Sequence, residues 1–279
     1  MNQWVFLNDE WAEAEQAFVS YKDLSVQRGY GIFDFFRIIG GRPVFLEDHL
    51  NRFFYSAEKM YLEVPKAKEE LRKLFDELIL KNSITDSGIR ITLTGGYSPD
   101  GYTLTKPTLI ISQQHFQPCT REQFEKGIRL MSFEHQRQLS QIKTIDYLMA
   151  IRLQPLLKKN GADDILYYKD EMITECPRAN IFIVTNDDTI ITPSENILKG
   201  ITRKRVLEIA QGKFKLQERA ISLTELKSAK EVFITSSTKE ILPVFQIDEH
   251  FYKERKLSRI LHQQLKQFIY TPVPLAMPS

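Results

Sequence analysis

Cysteine is scarce in this 279-residue chain, and neither sign of charge is in real excess. The two cysteines, Cys119 and Cys176, have no metal-type spacing and are too few for a disulfide framework, which points to a reducing compartment. Lysine and arginine number 38 against 36 acids, a net charge of +2. Composition therefore gives no pull toward nucleic acid, an anionic membrane or an acidic partner. No window is apolar for long enough to cross a bilayer. The opening residues, Met1-Asn2-Gln3-Trp4-Val5-Phe6-Leu7-Asn8-Asp9-Glu10, lack the basic stretch and apolar run of a signal peptide. A cytoplasmic protein without membrane partners is expected. The five histidines (His49, His115, His135, His250 and His262) contain no i,i+4 pair, so no metal site is expected either. Against these absences stand 42% hydrophobic and 27% charged residues, the usage of a globular protein with a sizeable core. The length suits one large domain or two ordinary ones.

Periodicity predicts a strand-rich first half. Strands are expected at residues 4–7 and 11–19, and at Gly31–Ile39 before a Gly40-Gly41 hairpin turn with a return strand from Pro43. Leu46, Leu50, Phe53, Phe54, Ala57 and Met60 recur at helical spacing, and a second helix is expected at 66–80. Two more strands fall near 89–94 and 107–113. This is an α+β pattern over 1–117, followed by a polar linker at 118–127 that carries Pro118 and Gly127. The second domain, 128–279, opens with a strand near 129–133. A helix at 145–158 follows, with Leu148, Ile151, Leu153, Leu156 and Leu157 available for burial. Short strands come next, then helices near 201–211 and 257–269, and a loosely held tail at 271–279.

Several short patterns carry little. Arg28-Gly29-Tyr30-Gly31 lacks a third glycine and leads into a strand, unlike a dinucleotide fingerprint. Gly95-Gly96-Tyr97-Ser98-Pro99-Asp100-Gly101 lacks the Lys-Thr of a P-loop and reads as a flexible loop between strands. S-x-x-K occurs at both Ser140–Lys143 and Ser236–Lys239, without the partner motifs of serine acyl-enzymes.

Four segments are harder to dismiss together. Gln141-Ile142-Lys143-Thr144-Ile145-Asp146-Tyr147 sets a lysine between a polar stretch and an amphipathic helix. Thr174-Glu175-Cys176-Pro177-Arg178-Ala179-Asn180 sets an acid and turn-forming residues before an apolar strand. Lys199-Gly200-Ile201-Thr202 is a glycine–hydroxyl helix start. Ile234-Thr235-Ser236-Ser237-Thr238-Lys239 puts a hydroxyl-rich turn directly after a buried strand.

In these segments, their order and their intervals, the chain resembles the fold-type IV, or class IV, pyridoxal-phosphate enzymes over nearly its whole length. That group holds branched-chain aminotransferases, D-amino acid aminotransferases and aminodeoxychorismate lyases. The resemblance implies two α+β domains with pyridoxal 5′-phosphate in the cleft between them, usually as a homodimer. A lysine amine must bond the cofactor aldehyde and then move the substrate Cα proton; Lys143 matches it. A carboxylate must keep the pyridine nitrogen protonated; Glu175 matches it. The phosphate needs fixed donors. Ile201 and Thr202 at a helix start, Ser236 and Ser237 in the turn, and Arg52 from the first domain match those. The resemblance offers Tyr147 as a donor to the ring oxygen, one residue closer to Lys143 than in the branched-chain branch.

The substrate side separates the reactions. D-amino acid aminotransferases trap the carboxylate with a basic residue in the loop after the 89–94 strand, where this chain has Asp100. The lyase branch often carries a threonine after the phenylalanine of the Gly31-Ile32-Phe33 strand, where this chain has Asp34. Gly101-Tyr102-Thr103 nevertheless resembles lyases. Arg37 and Arg90 match first-domain arginines of the branched-chain branch, whose usual tyrosine two residues before the arginine is Gly88 here. Phe33, Phe35 and Phe36 offer an apolar wall, although alternation along a strand sends some of them to the core. The expected reaction is transamination between an apolar amino acid and a 2-oxo acid such as 2-oxoglutarate. The alternative is lysis of 4-amino-4-deoxychorismate to 4-aminobenzoate and pyruvate.

Overall fold

The computed structural model describes residues 3–116 and 118–270; the expected tail at 271–279 lies outside the described residues. In chain order the elements are β1 (Trp4–Leu7), β2 (Glu10–Glu13), α1 (Leu24–Arg28), β3 (Gly31–Ile39), β4 (Arg42–Pro43), α2 (Leu46–Lys59), α3 (Lys68–Asn82), β5 (Ser87–Thr94), β6 (Leu109–His115), α4 (Arg121–Lys126) and β7 (Ile128–Glu134). There follow α5 (Leu148–Arg152), α6 (Gln154–Asn160), β8 (Asp164–Lys169), β9 (Met172–Ile173), β10 (Glu175–Cys176), β11 (Ala179–Val184), β12 (Ile190–Thr192) and α7 (Ile201–Ala210). The last are β13 (Leu216–Glu218), α8 (Leu223–Ser228), β14 (Glu231–Ser236), β15 (Glu240–Ile247), β16 (His250–Phe251) and α9 (Lys256–Tyr270).

The chain divides into two compact units. The first runs to Pro118 and takes in Arg137–Pro155; the second holds Cys119–Gln136 and everything described from Leu156 on. The division differs from the sequence expectation in placing Lys143 with the first unit. The cause is backbone pairing: Phe33 N–H donates to the Lys143 carbonyl at 3.0 Å and Ile145 N–H to that of Gly31 at 3.0 Å. The expected 118–127 linker also holds helix α4, which Thr120 and Gln123 start with a reciprocal capping box.

The first unit is built on an antiparallel sheet in the order β2-β1-β6-β5-β3-β4. Strand β3 pairs β5 with Phe33 opposite Thr92, Phe35 opposite Arg90 and Arg37 opposite Gly88. On one face Ile32, Phe36 and Ile38 of β3 join Ile89, Ile91 and Leu93 of β5. Leu50, Phe53 and Ala57 of α2 and Leu71, Phe75 and Leu78 of α3 complete that core. Phe36 is therefore a core residue, its ring 5.0 Å from that of Phe75, and not part of an apolar wall with Phe33 and Phe35. The expected helix at 145–158 is broken into α5 and α6. Pro155 has no N–H to offer the carbonyl of Ile151, and of the five apolar residues set aside for burial only Leu153 is buried.

The second unit is a mixed sheet in the order β13-β12-β11-β14-β15-β7-β8-β9, with β10 on β11 and β16 on β15. Its central strands are apolar on both faces. Ile181, Ile183, Val232 and Ile234 pack on one side with Ile221 and Leu226. Phe182, Val184 and Phe233 pack on the other with Val206 and Ile209 of α7 and Leu257, Leu261 and Leu265 of α9.

Candidate active site

The face of β3 turned away from the first unit's core carries Phe33, Phe35 and Arg37, because alternate side chains point to opposite faces. Lys143 Nζ lies 4.4 Å from the Phe33 ring centroid. The Arg90 guanidinium carbon lies 3.8 Å from the same centroid, and Arg90 Nε donates to Thr92 Oγ1 at 3.3 Å. Burial lowers the Arg90 pKa from its ordinary value, yet arginine stays charged at that level. The Tyr147 ring stands 5.9 Å from that of Phe33. Phe35 covers Gly88, where a β-carbon would meet its ring, so a tyrosine there would require Phe35 to move. Arg37 lies over Phe116 at 4.7 Å, and Phe35 is 6.5 Å from the same ring. Lys143, Tyr147, Arg90, Phe33, Phe35 and Arg37 thus form one neighbourhood, to which Phe116 is an unforeseen addition.

Arg52 sits elsewhere. It projects from α2 toward the core side of β3, where Nε and Nη2 both donate to the buried Asp34 carboxylate at 2.8 Å. The sequence pattern gives no site role to Asp34 or to His49, which also contacts it. The available signal was a charged residue occupying a core-facing position between Ile32 and Phe36.

In the second unit Glu175, Asn180 and Thr235 are register neighbours across β10, β11 and β14, and so share one face. All three are buried, and Glu175 Oε2 accepts from the Leu198 N–H at 2.9 Å. Asn180 Nδ2 donates to the Leu198 carbonyl at 2.7 Å. Together these side chains hold the segment entering α7. Gly200 caps that helix without a side-chain hydrogen bond, leaving first-turn N–H groups at Ile201 and Thr202 as donors. Ser236 Oγ accepts from Lys239 N–H at 3.0 Å, closing the turn that presents Ser236 and Ser237. Thr235 Oγ1 is buried without a hydrogen-bond partner among the described residues. Burial pushes the Cys176 thiol well up, which marks it as a packing residue and not a nucleophile.

The sequence profile of the amino-transferase class IV family matches residues 31–247. The chain belongs to the class IV aminotransferases. A D-alanine aminotransferase of Listeria monocytogenes is 29% identical over 275 residues, covering 95% of this chain and 94% of that one. A branched-chain amino acid aminotransferase of Thermoproteus uzoniensis, solved with norvaline, superimposes with a TM-score of 0.86. It is 26% identical and covers 96% of this chain and 94% of its own. The T.th. branched-chain amino acid aminotransferase, solved with pyridoxamine 5′-phosphate, gives a TM-score of 0.88 at 22% identity, covering 96% of this chain and 95% of its own. The architecture is that of the fold-type IV enzymes.

Class IV aminotransferases depend on pyridoxal 5′-phosphate. Taken separately, each unit carries groups of the kinds such a cofactor needs: in the first a half-buried lysine amine beside an aromatic ring, in the second a buried acid, an uncapped helix start and a hydroxyl turn.

Proposed function

We propose that this class IV enzyme transfers the amino group of an apolar amino acid to a 2-oxo acid such as 2-oxoglutarate. The observation that carries the reading is the shared contact of Lys143 Nζ and the Arg90 guanidinium with the Phe33 ring. A reacting amine and a carboxylate-binding cation flank one apolar surface. Pyridoxal phosphate, when bound, supplies the electron sink that acidifies the substrate Cα–H.

The protein's share of the chemistry is as follows. Lys143 would hold the cofactor through its amine, and the same amine would serve as the base for the substrate Cα proton. Glu175 keeps the proton on the pyridine nitrogen. Ile201 and Thr202 amides, the hydroxyls of Ser236 and Ser237, and Arg52 bind the phosphate. Tyr147 donates to the ring oxygen. Arg37 and Arg90 take substrate carboxylates, while Phe33 and Phe35 receive the apolar side chain and exclude water. Phe116 extends that wall. A cytoplasmic homodimer completes the reading. Free Cys119 and Cys176 favour the compartment, and exposed Phe18, Tyr21, Leu148 and Ile151 favour burial by a second copy. Among the described residues no helix is long and apolar enough to cross a membrane.

A second reading, transamination of D-amino acids, is favoured by the likeness to the D-alanine aminotransferase of Listeria monocytogenes. The loop that would supply a basic residue opposes it. Hydrogen bonds from the Thr103 backbone and side chain, the Tyr102 backbone and Ser98 hold the Asp100 carboxyl well below the usual range, so a negative charge stands there.

The test is the absorption spectrum of cofactor-loaded protein as single amino acids are added. Bleaching of the yellow band by L-leucine or L-isoleucine, absent in Lys143→Ala, is the expected result. Bleaching by D-alanine alone would transfer the reading to D-amino acids. A spectrum indifferent to all of them, with pyruvate released from 4-amino-4-deoxychorismate, would replace it with the lyase.

A further inference from the structure

The Asp34 carboxylate is 1% exposed and fully used. Its Oδ1 accepts from the Phe35 N–H at 2.7 Å, from His49 Nδ1 at 2.7 Å and from Arg52 Nη2 at 2.8 Å; Oδ2 accepts from Arg52 Nε at 2.8 Å. Since an ionised carboxylate only accepts, His49 Nδ1 must carry its proton toward Asp34. That nitrogen is then no acceptor for Arg52 Nη2, which lies 3.4 Å away. The guanidinium is therefore held by one edge only, Nε to Nη2, as a planar fork. Among the described residues no group accepts from Nη1, so both its hydrogens remain for another acceptor, on the edge turned away from Asp34.

A buried ion pair is a poor way to gain net stability over apolar packing. Helix α2 is already anchored on β3 by Leu50, Phe53 and Ala57. What the pair adds is orientation. Arginine has four rotatable side-chain bonds, and gripping one edge of its fork removes most of that freedom before any ligand arrives.

We infer that Asp34 is a positioning residue, which pre-aligns Arg52 so that the free Nη1 edge meets the cofactor's phosphate. The inference rests on the reading of Arg52 as a phosphate ligand. His49 acts behind Asp34, fixing the carboxylate that fixes the arginine.

The test compares pyridoxal phosphate with pyridoxal, which lacks the phosphate, by absorbance titration of the cofactor-stripped full chain. Asp34→Asn and Arg52→Lys are each expected to weaken pyridoxal phosphate binding at least ~10-fold, the size of one charged hydrogen bond, and to leave pyridoxal nearly unchanged. In an Arg52→Ala background Asp34→Asn adds no further loss of phosphate preference. Equal weakening of both ligands by Asp34→Asn, or an undiminished effect of it without Arg52, overturns the inference and leaves Asp34 a fold residue. Arg52→Lys decides the matter if Asp34→Asn does not fold. A lysine with full phosphate preference means that charge suffices without the grip, which also overturns it. Unchanged preference in Arg52→Ala alone sinks the underlying reading of Arg52, a different failure.

Discussion

The side-chain oxygen of Asn180 occupies the space that a β-carbon on Gly200 would need. Asn180 cannot swing aside without breaking its bond to the Leu198 carbonyl. Gly200 itself has φ −65° and ψ 143°, a conformation open to any residue, so the demand for glycine is steric. Gly200→Ala is expected to destabilise the protein by about 1–3 kcal/mol through overpacking, read as a lower Tm. Asn180→Ala in the same chain relieves the clash, so the double variant should lose less than the two single variants together.

Lys143 is tied down through its backbone. Its N–H donates to Ser56 Oγ at 3.3 Å and its carbonyl accepts from Phe33 N–H at 3.0 Å. Lys143→Ala leaves both bonds intact. The fold should survive by circular dichroism, while amino transfer slows by at least about 10²–10⁴-fold, the range of a lost general base. Retained turnover would remove Lys143 from the chemistry.

Arg90→Met keeps an unbranched stem over Phe33 and deletes the charge. A loss of about 10–100-fold in kcat/KM for the 2-oxo acid is expected, equivalent to a charged hydrogen bond. Steady-state kinetics with 2-oxoglutarate would show it, and unaltered kinetics would exclude Arg90 from carboxylate binding.

Acid should weaken the fold in two steps. Burial lowers the His49 pKa and outweighs the opposing pull of Asp34. Burial raises that of Asp34, but Arg52 and then His49 hold it well below the usual carboxylate range. In both cases the unfolded chain binds more protons than the folded one in the acid range, so stability rises with pH there. On acidification the His49 contribution is lost from about pH 6.5 downward, and that of Asp34 from about pH 4 downward. Urea midpoints measured at stepped pH should fall accordingly, and His49→Gln should flatten the upper step only.

Thiol chemistry offers a cheap check of burial. Cys176 is 1% exposed with its pKa pushed well up, and Cys119 is half-buried. A thiol reagent should label Cys119 alone in the native protein and both after unfolding. Fast labelling of Cys176 in the folded protein would contradict its packing.

The α+β class, most of the strands and helices α2, α3, α7 and α9 were legible in the sequence. Their apolar periods are regular and each element buries the stripe its spacing predicts. Strand β15 was not legible, because Pro243 argues against a central strand. It is tolerated beside β14 because the parallel partner β7 joins only from Val244 onward. The helix expected at 145–158 failed for the opposite reason. Its apolar spacing is real, but Leu148 and Ile151 are 74% and 61% exposed in the isolated chain, and the helix breaks at Leu153, just ahead of Pro155.

Residue types and their order along the chain were enough to determine the family and its cofactor, since a lysine, an acid, a glycine–hydroxyl helix start and a hydroxyl turn are local patterns. Only tertiary structure decided which residues act together. Lys143 joins the first unit because main-chain groups of Gly31 and Phe33, over a hundred residues earlier, find their partners there. Asp34 reads as an intruder in an apolar strand until α2 folds over it and brings His49 and Arg52 within hydrogen-bonding distance. A buried charge must be met by groups that are distant in sequence, and no local pattern can say which ones.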